Sequence, residues 1–143
     1  MQRVSRASVS VHAETVGEIR RGLLIFVGIR EGDSERNAAK LAKRIVNLRI
    51  FPDSSGKMNL SLLDMDGEML IVSQFTLYGD TTKGNRPSYS EAAKPEAAKS
   101  LYELFIKLCQ DQGIAVATGV FQAHMEVAAV NDGPVTLICC SES

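Results

Sequence analysis

The sequence is poor in the residues that most often announce chemistry. It has no tryptophan, two histidines and three cysteines. Cys109, Cys139 and Cys140 are an odd number with no Cys-x-x-Cys spacing and no partner histidine spacing, which argues against a zinc site or a secreted disulfide framework and fits a reducing cytosol. Long hydrophobic runs are missing as well. No apolar stretch is long enough to span a bilayer, and Met1 leads straight into polar, alternating residues rather than the apolar core of a leader peptide. The expectation is a cytoplasmic protein with no membrane partner. Charge of one sign is also lacking, since 16 Lys and Arg offset 17 Asp and Glu for a net charge of -1. Total charge therefore gives no sign of nucleic-acid binding, and a polyanion would have to be met by basic residues gathered locally. Arg3, Arg6, Arg20, Arg21, Lys83 and Arg86 are the candidates, although scattered solvated charges are the commoner arrangement.

What is present is an ordinary globular composition: 143 residues, 45% of them hydrophobic, enough for one domain spanning 1–143 with its own core. Residues 3–12 alternate as a half-buried strand does. A polar stretch around 16–19 precedes the apolar run 23–29, short enough for a strand covered on both faces. Ala38, Leu41, Ala42, Ile45 and Leu48 recur at helical spacing, with Asp33 or Ser34 available as cap. Residues 51–56 read as a loop and Asp66-Gly67 as a hairpin-type turn. A buried strand from Met69 is expected to run on through Leu77. Pro95 suits a first helical position ahead of the stripe Ala98, Leu101, Tyr102, Phe105, Leu108 and Cys109. Strands follow at 114–117, 125–130 and 135–140, the last two separated by Asn131-Asp132-Gly133-Pro134. Strands outnumber helices, and an α/β layered domain is the natural packing.

Two segments stand out. Ser73-Gln74-Phe75-Thr76-Leu77 appends polar residues to the end of an apolar strand, where a rigid element can aim them and a loop leaves room for a ligand. Strand alternation would send Gln74 and Thr76 one way, Ser73 and Phe75 the other. The second segment is Asn131-Asp132-Gly133-Pro134-Val135-Thr136. Gly-Pro bonds are cis in only ~5–6% of cases. Were this one cis, its carbonyls would turn to one side, and glycine would let another group approach the backbone. On their own the two segments read as an emerging strand end and a plain turn. Other motifs fall short. Gly79 and Gly84 have P-loop spacing, but Asn85-Arg86 replaces the required Lys-Ser/Thr. His12 and His124, both placed in strands, belong to no triad pattern. Thr76 has no adjoining base to make its hydroxyl a nucleophile.

Together the two segments resemble the paired signature of the D-aminoacyl-tRNA deacylase family, in the right order and at about the right separation. Residues 2–9, Gly22-Leu23-Leu24, Lys83 to Tyr89 and Phe121 to Val127 are similar to further family segments, so the resemblance covers nearly the whole chain. It implies a single α/β domain with mixed, barrel-like sheets and two main helices. It also implies a homodimer acting on D-aminoacyl-tRNA with no cofactor and no metal. In that picture a cis Gly133-Pro134 from one subunit faces Ser73, Gln74, Phe75 and Thr76 of the other. Its backbone carbonyls would collide with an L side chain while admitting a D-amino acid, and glycine on tRNA(Ala) would pass too. Backbone N–H groups near Gln74 and Phe75 would polarise the ester, helped by the substrate's 2′-OH. Arg3 would brace the Gly-Pro carbonyl, and Phe121, Met125 and Thr136 would shape the pocket. Gln122 stands where the family usually has glycine, and the start close to Gln2-Arg3-Val4 suggests a short first strand. The rivals are a nucleic-acid-binding module without hydrolysis, and a proofreader of opposite stereochemistry whose marker, a proline, is here Ser73.

Overall fold

A computed structural model describes residues 1–141. The chain runs β1 (Gln2–Val11), β2 (Glu14–Ile19), β3 (Gly22–Val27), α1 (Glu35–Asn47), β4 (Phe51–Pro52), β5 (Met58–Leu60), β6 (Glu68–Ser73), a 3-10 turn (Phe75–Tyr78), α2 (Pro95–Asp111), β7 (Ala115–Thr118) and β8 (Glu126–Thr136). Six strands form one sheet in the order β2-β1-β3-β6-β7, with β8 added to β1. Because β2 and β7, at the two ends of that order, lie against each other, the sheet curls into a nearly closed barrel. The fold is the mixed, barrel-like α/β domain with two helices that the resemblance implies.

Two cores follow from the alternation of the central strands. Leu23, Ile25 and Val27 of β3, with Met69 and Ile71 of β6, face α1 and α2, where Ala42, Ile45, Tyr102 and Phe105 cover them. The intervening Leu24, Leu70 and Val72 point into the barrel and meet Val4 and Val9 of β1. Strands buried on both faces read as continuous apolar runs, which is why β3 and β6 show no alternation of polarity. Their pairing is parallel, as expected for strands joined through a helical crossover. Ser34 caps α1, its N–H donating to Asn37 Oδ1 at 2.8 Å, and Pro95 opens α2.

Several sequence expectations need correcting. Residues 51–56 are not a plain loop, because Phe51 and Pro52 pair with Leu60 and Met58 in a small separate sheet. Asp66-Gly67 is a turn but closes no hairpin, since β5 and β6 belong to different sheets. β1 is ten residues long rather than short. His12 lies in the β1–β2 turn at φ 50°, and His124 in the connection before β8, so neither sits in a strand. The strands expected at 125–130 and 135–140 are one strand, β8, which ends at Thr136 and leaves residues 137–140 outside any sheet.

Candidate active site

The Ser73–Thr76 segment sits at the C-terminal end of β6, but the strand stops at Ser73 rather than running to Leu77. Gln74 leaves the ladder while its N–H still donates to Val27 O at 2.7 Å, and residues 75–78 wind into the 3-10 turn. The expected strand alternation of side chains is lost there. Instead the Gln74 amide donates to the Thr76 hydroxyl, and Phe75 and Thr76 both project outward. Since the Gln74 N–H is engaged, the N–H groups of Phe75 and Thr76 are the donors at this end, as the first residues of a helical turn have no intrahelical acceptor. Phe75 is 56% exposed and its ring meets Tyr89 edge-on, centroids 5.1 Å apart.

The second segment is extruded from β8 by a large bulge. Gln2 of β1 pairs with Thr136 and Val4 with Asn131, so Arg3 alone stands opposite the four residues Asp132 to Val135. Extra residues on one strand of a pair must leave the ladder. Gly133 and Pro134 are accordingly exposed, joined by a cis bond. Gly133 has φ 140°, and a Cβ there would lie 2.8 Å from Val135 Cγ2 and 2.9 Å from Val135 N, so only glycine fits without displacing its neighbours.

Two side chains hold the bulge. Arg3, 9% exposed, donates through Nε to the Asp132 carbonyl at 2.9 Å and through Nη1 to the buried Ile50 carbonyl at 2.7 Å. The carbonyl that Arg3 grips thus belongs to Asp132, one residue before the Gly-Pro pair. A residue so buried is no part of an exposed basic patch. Asn131 clasps the other side, accepting from Val135 N–H at 2.8 Å and donating to Thr136 Oγ1 at 2.9 Å. The sequence reading missed Asn131. Its signal was an Asx residue ahead of Gly-Pro, a type that bonds the backbone a few residues on.

The remaining candidates divide between the two cores. Phe121 packs on Tyr102 with centroids 5.7 Å apart on the helix side, while Met125 joins the barrel interior. Gln122 between them adopts φ 65°, a conformation that glycine takes freely and glutamine at a cost of about 1 kcal/mol, which explains the glycine expected there. No hydrogen bond, ion pair or ring contact among the described residues joins Ser73–Thr76 to Gly133–Pro134. Their trailing residues do share a cavity of about 360 Å³, with Leu77 and Tyr78 on one side, Thr136 to Ile138 on the other, and Phe26 beneath. Its rim is apolar and open, Leu77 being 59% and Ile138 93% exposed.

Apart from Asp132, neither segment carries an ionisable side chain. The nearby Asp80 is held below the usual carboxylate range by the Thr82 hydroxyl and N–H, and that fixes a loop rather than poising an acid. What the arrangement offers is therefore mostly backbone: N–H groups at one end of β6, and a bulge on β8 whose exposed tip at Gly133 has no side chain.

Comparison with known proteins accords with this geometry. The family described as D-Tyr-tRNA(Tyr) deacylase matches residues 1–140. A D-aminoacyl-tRNA deacylase of Thermosipho africanus is 56% identical over 142 residues, covering 99% of this chain and 95% of the relative. One from Dehalococcoides mccartyi is 59% identical over 138 residues, covering 96% and 90%. Among solved structures, the c-Myc DNA Unwinding Element Binding Protein superposes with a TM-score of 0.89 at 38% identity, over 95% of this chain and 93% of that one. No helix among the described residues is long and apolar enough to cross a membrane. The match along nearly the whole chain shows that it belongs to the D-Tyr-tRNA(Tyr) deacylase family and is, with it, a hydrolase.

Proposed function

We propose that this protein removes D-amino acids from the 3′ end of tRNA in the cytoplasm as a homodimer, each site being completed by the partner's Gly133-Pro134. One observation carries the reading. The bulge is held by Arg3 and Asn131, yet it is exposed, and among the described residues no hydrogen bond, ion pair or ring contact joins it to Ser73–Thr76. The apolar rim of Leu77, Leu137 and Ile138 is left open, as a surface awaiting a second copy would be.

In the assembled site, the exposed backbone of residues 132–134 forms a wall against the Cα of the bound aminoacyl group. An L side chain collides with it, a D side chain points away, and glycine on tRNA(Ala) passes because it has nothing to collide. Discrimination by repulsion leaves the identity of the D side chain unread. The Phe75 and Thr76 N–H groups receive the charge that develops on the carbonyl oxygen of the ester as water adds to the carbonyl carbon. The C–O bond to the ribose then breaks, and the departing 3′-oxygen takes a proton, with the neighbouring 2′-OH serving proton transfer. Phe121, Met125 and Thr136 bound the pocket, and no cofactor takes part.

Purified protein is expected to release D-tyrosine from D-Tyr-tRNA without added cofactor. Binding with no turnover would favour a nucleic-acid-binding module, a reading that the name of the c-Myc DNA Unwinding Element Binding Protein keeps in view. The shared site is tested by mixed dimers of Gly133→Val, which spoils the wall, and Phe75→Pro, which removes an N–H where a helical turn tolerates proline. Each homodimer should be inactive and the mixture active, because one of its two sites is then intact. A mixture as inactive as its parents would sink the cross-subunit arrangement.

A further inference from the structure

Resting on the deacylase reading, we propose that the flap 80–89 binds the unpaired nucleotides just before the terminal adenosine of the tRNA. In this subsite Lys83 and Arg86 neutralise phosphates and Tyr89 offers its exposed ring to a base. The flap begins two residues after the 3-10 turn that ends the site, with Gly79 between. Its base is closed by Asp80 and Ser88, which exchange two backbone hydrogen bonds of 2.7 and 2.9 Å. Its first turn is set by the Asp80 carboxylate, which accepts from the Thr82 N–H at 2.9 Å and its hydroxyl at 2.7 Å.

Tyr89 is pinned from the far side. Ala93 N–H donates to Ile29 O and Glu31 N–H to Glu91 O, both at 2.9 Å, tying the residues after Tyr89 to the segment that follows β3. A Cβ at Gly79 would come within 2.9 Å of Tyr89 Cε1, so glycine there is what admits the ring. The result is an aromatic ring, 40% exposed, fixed beside Phe75 rather than buried in the core. Aromatic faces held in this way are the platforms on which unpaired bases stack, with little regard to sequence.

The tip supplies the charge. Between Asp80 at its base and Tyr89, the flap carries Lys83 and Arg86 and no further acid, on a protein whose net charge is -1. Both cations are exposed, and neither has a hydrogen bond or ion pair among the described residues. Lys83 is three residues from Asp80 and Arg86 two from Ser88, so at most ~11 Å of extended chain separates either from the closure next to Tyr89. Arg20, Arg21 and the basic residues of α1 belong to other elements, while the flap brings unpaired positive charge and exposed rings together beside the 3-10 turn.

The test compares two substrates, D-tyrosyl-tRNA and D-tyrosyl-adenosine, which lacks the preceding nucleotides. In Lys83→Ala/Arg86→Ala the ratio of kcat/KM for tRNA to that for the adenosine ester should fall about tenfold. The slope of log Kd against log salt for tRNA should become shallower by about 1.4, two single-strand phosphates at ~0.7 each. Lys83→Arg/Arg86→Lys should restore the slope, and Tyr89→Phe should keep the ratio that Tyr89→Ala loses. An unchanged ratio and slope, or equal losses on both substrates, would overturn the subsite. Should the wild type cleave neither ester, the deacylase reading fails, and the salt slope of tRNA binding still decides the flap.

Discussion

Arg3→Met tests the link between the bulge and selectivity. Methionine keeps most of the volume and removes the charge with both hydrogen bonds. The bond to the buried Ile50 carbonyl, 2.7 Å, leaves an acceptor that water cannot reach. The bond to the Asp132 carbonyl, 2.9 Å, leaves one that is partly solvated. Hydrogen bonds to a charged donor contribute roughly 1.5–3 kcal/mol each, with the solvated acceptor recovering part of its share. The contact between Arg3 Nε and the half-exposed Asp132 carboxylate, 3.8 Å, adds little. A loss of about 3 kcal/mol is expected, which for a chain of this size lowers Tm by roughly 10 °C while leaving it folded at 25 °C. The bulge would then hang on Asn131 alone. Release of tyrosine from D-Tyr-tRNA should fall at least tenfold, and the ratio of D-Tyr to L-Tyr release should fall with it, because a displaced wall both blocks and leaks. Deacylation of the two esters at 25 °C, alongside thermal unfolding, reads both effects. If Tm drops as expected and the D-to-L ratio holds, Arg3 is only a prop for the core and the bulge is not the selective element.

Thr76→Ala should retain activity within about tenfold of wild type, against the roughly 10⁴-fold or greater loss expected of a nucleophile; a collapse with the fold intact would restore a direct role for that hydroxyl. Alkaline pH should weaken the fold through the helix-side core, where burial pushes the Cys109 thiol and the Tyr102 phenol each up to about 12. The unfolded chain gives up the thiol proton from about 9.0 while the folded chain keeps it, so the stability present below pH 9 drains away between 9 and 12. Urea midpoints should decline over that range, and a flat profile would contradict the assignment. The same burial predicts that iodoacetamide at pH 8 labels the exposed Cys140 and reaches Cys109 only after unfolding.

Helices were the most legible part of the sequence, because a 3.6-residue stripe such as Ala38, Ala42 and Ile45 has one interpretation. Strand ends were not, because hydrogen bonding rather than polarity decides where a ladder stops. β6 ended at Ser73 once its neighbour β3 ended at Val27 and offered only one more carbonyl, the one that Gln74 takes. β8 read as two strands because Asn-Asp-Gly-Pro has the composition of a turn, and only pairing with β1 on both sides makes it a bulge within one strand. Of the site, the two segments and the bracing role of Arg3 were visible through resemblance, while the clasp by Asn131 was not. Nothing local in the sequence says that Arg3 lies under Asp132, nor that Tyr89 leans on Phe75 across the flap.

A filter made of main chain, as proposed for the β8 bulge, would have a consequence for heredity. Asp132 and Pro134 are exposed and Gly133 has no side chain, so under the proposed reading few single-codon changes at the wall itself would retune which enantiomer is admitted. On that reading, drift would reach the filter through what holds it, Arg3 and Asn131, or by adding bulk at Gly133. Selectivity built this way should resist gradual evolution toward a new substrate and fail abruptly when it fails.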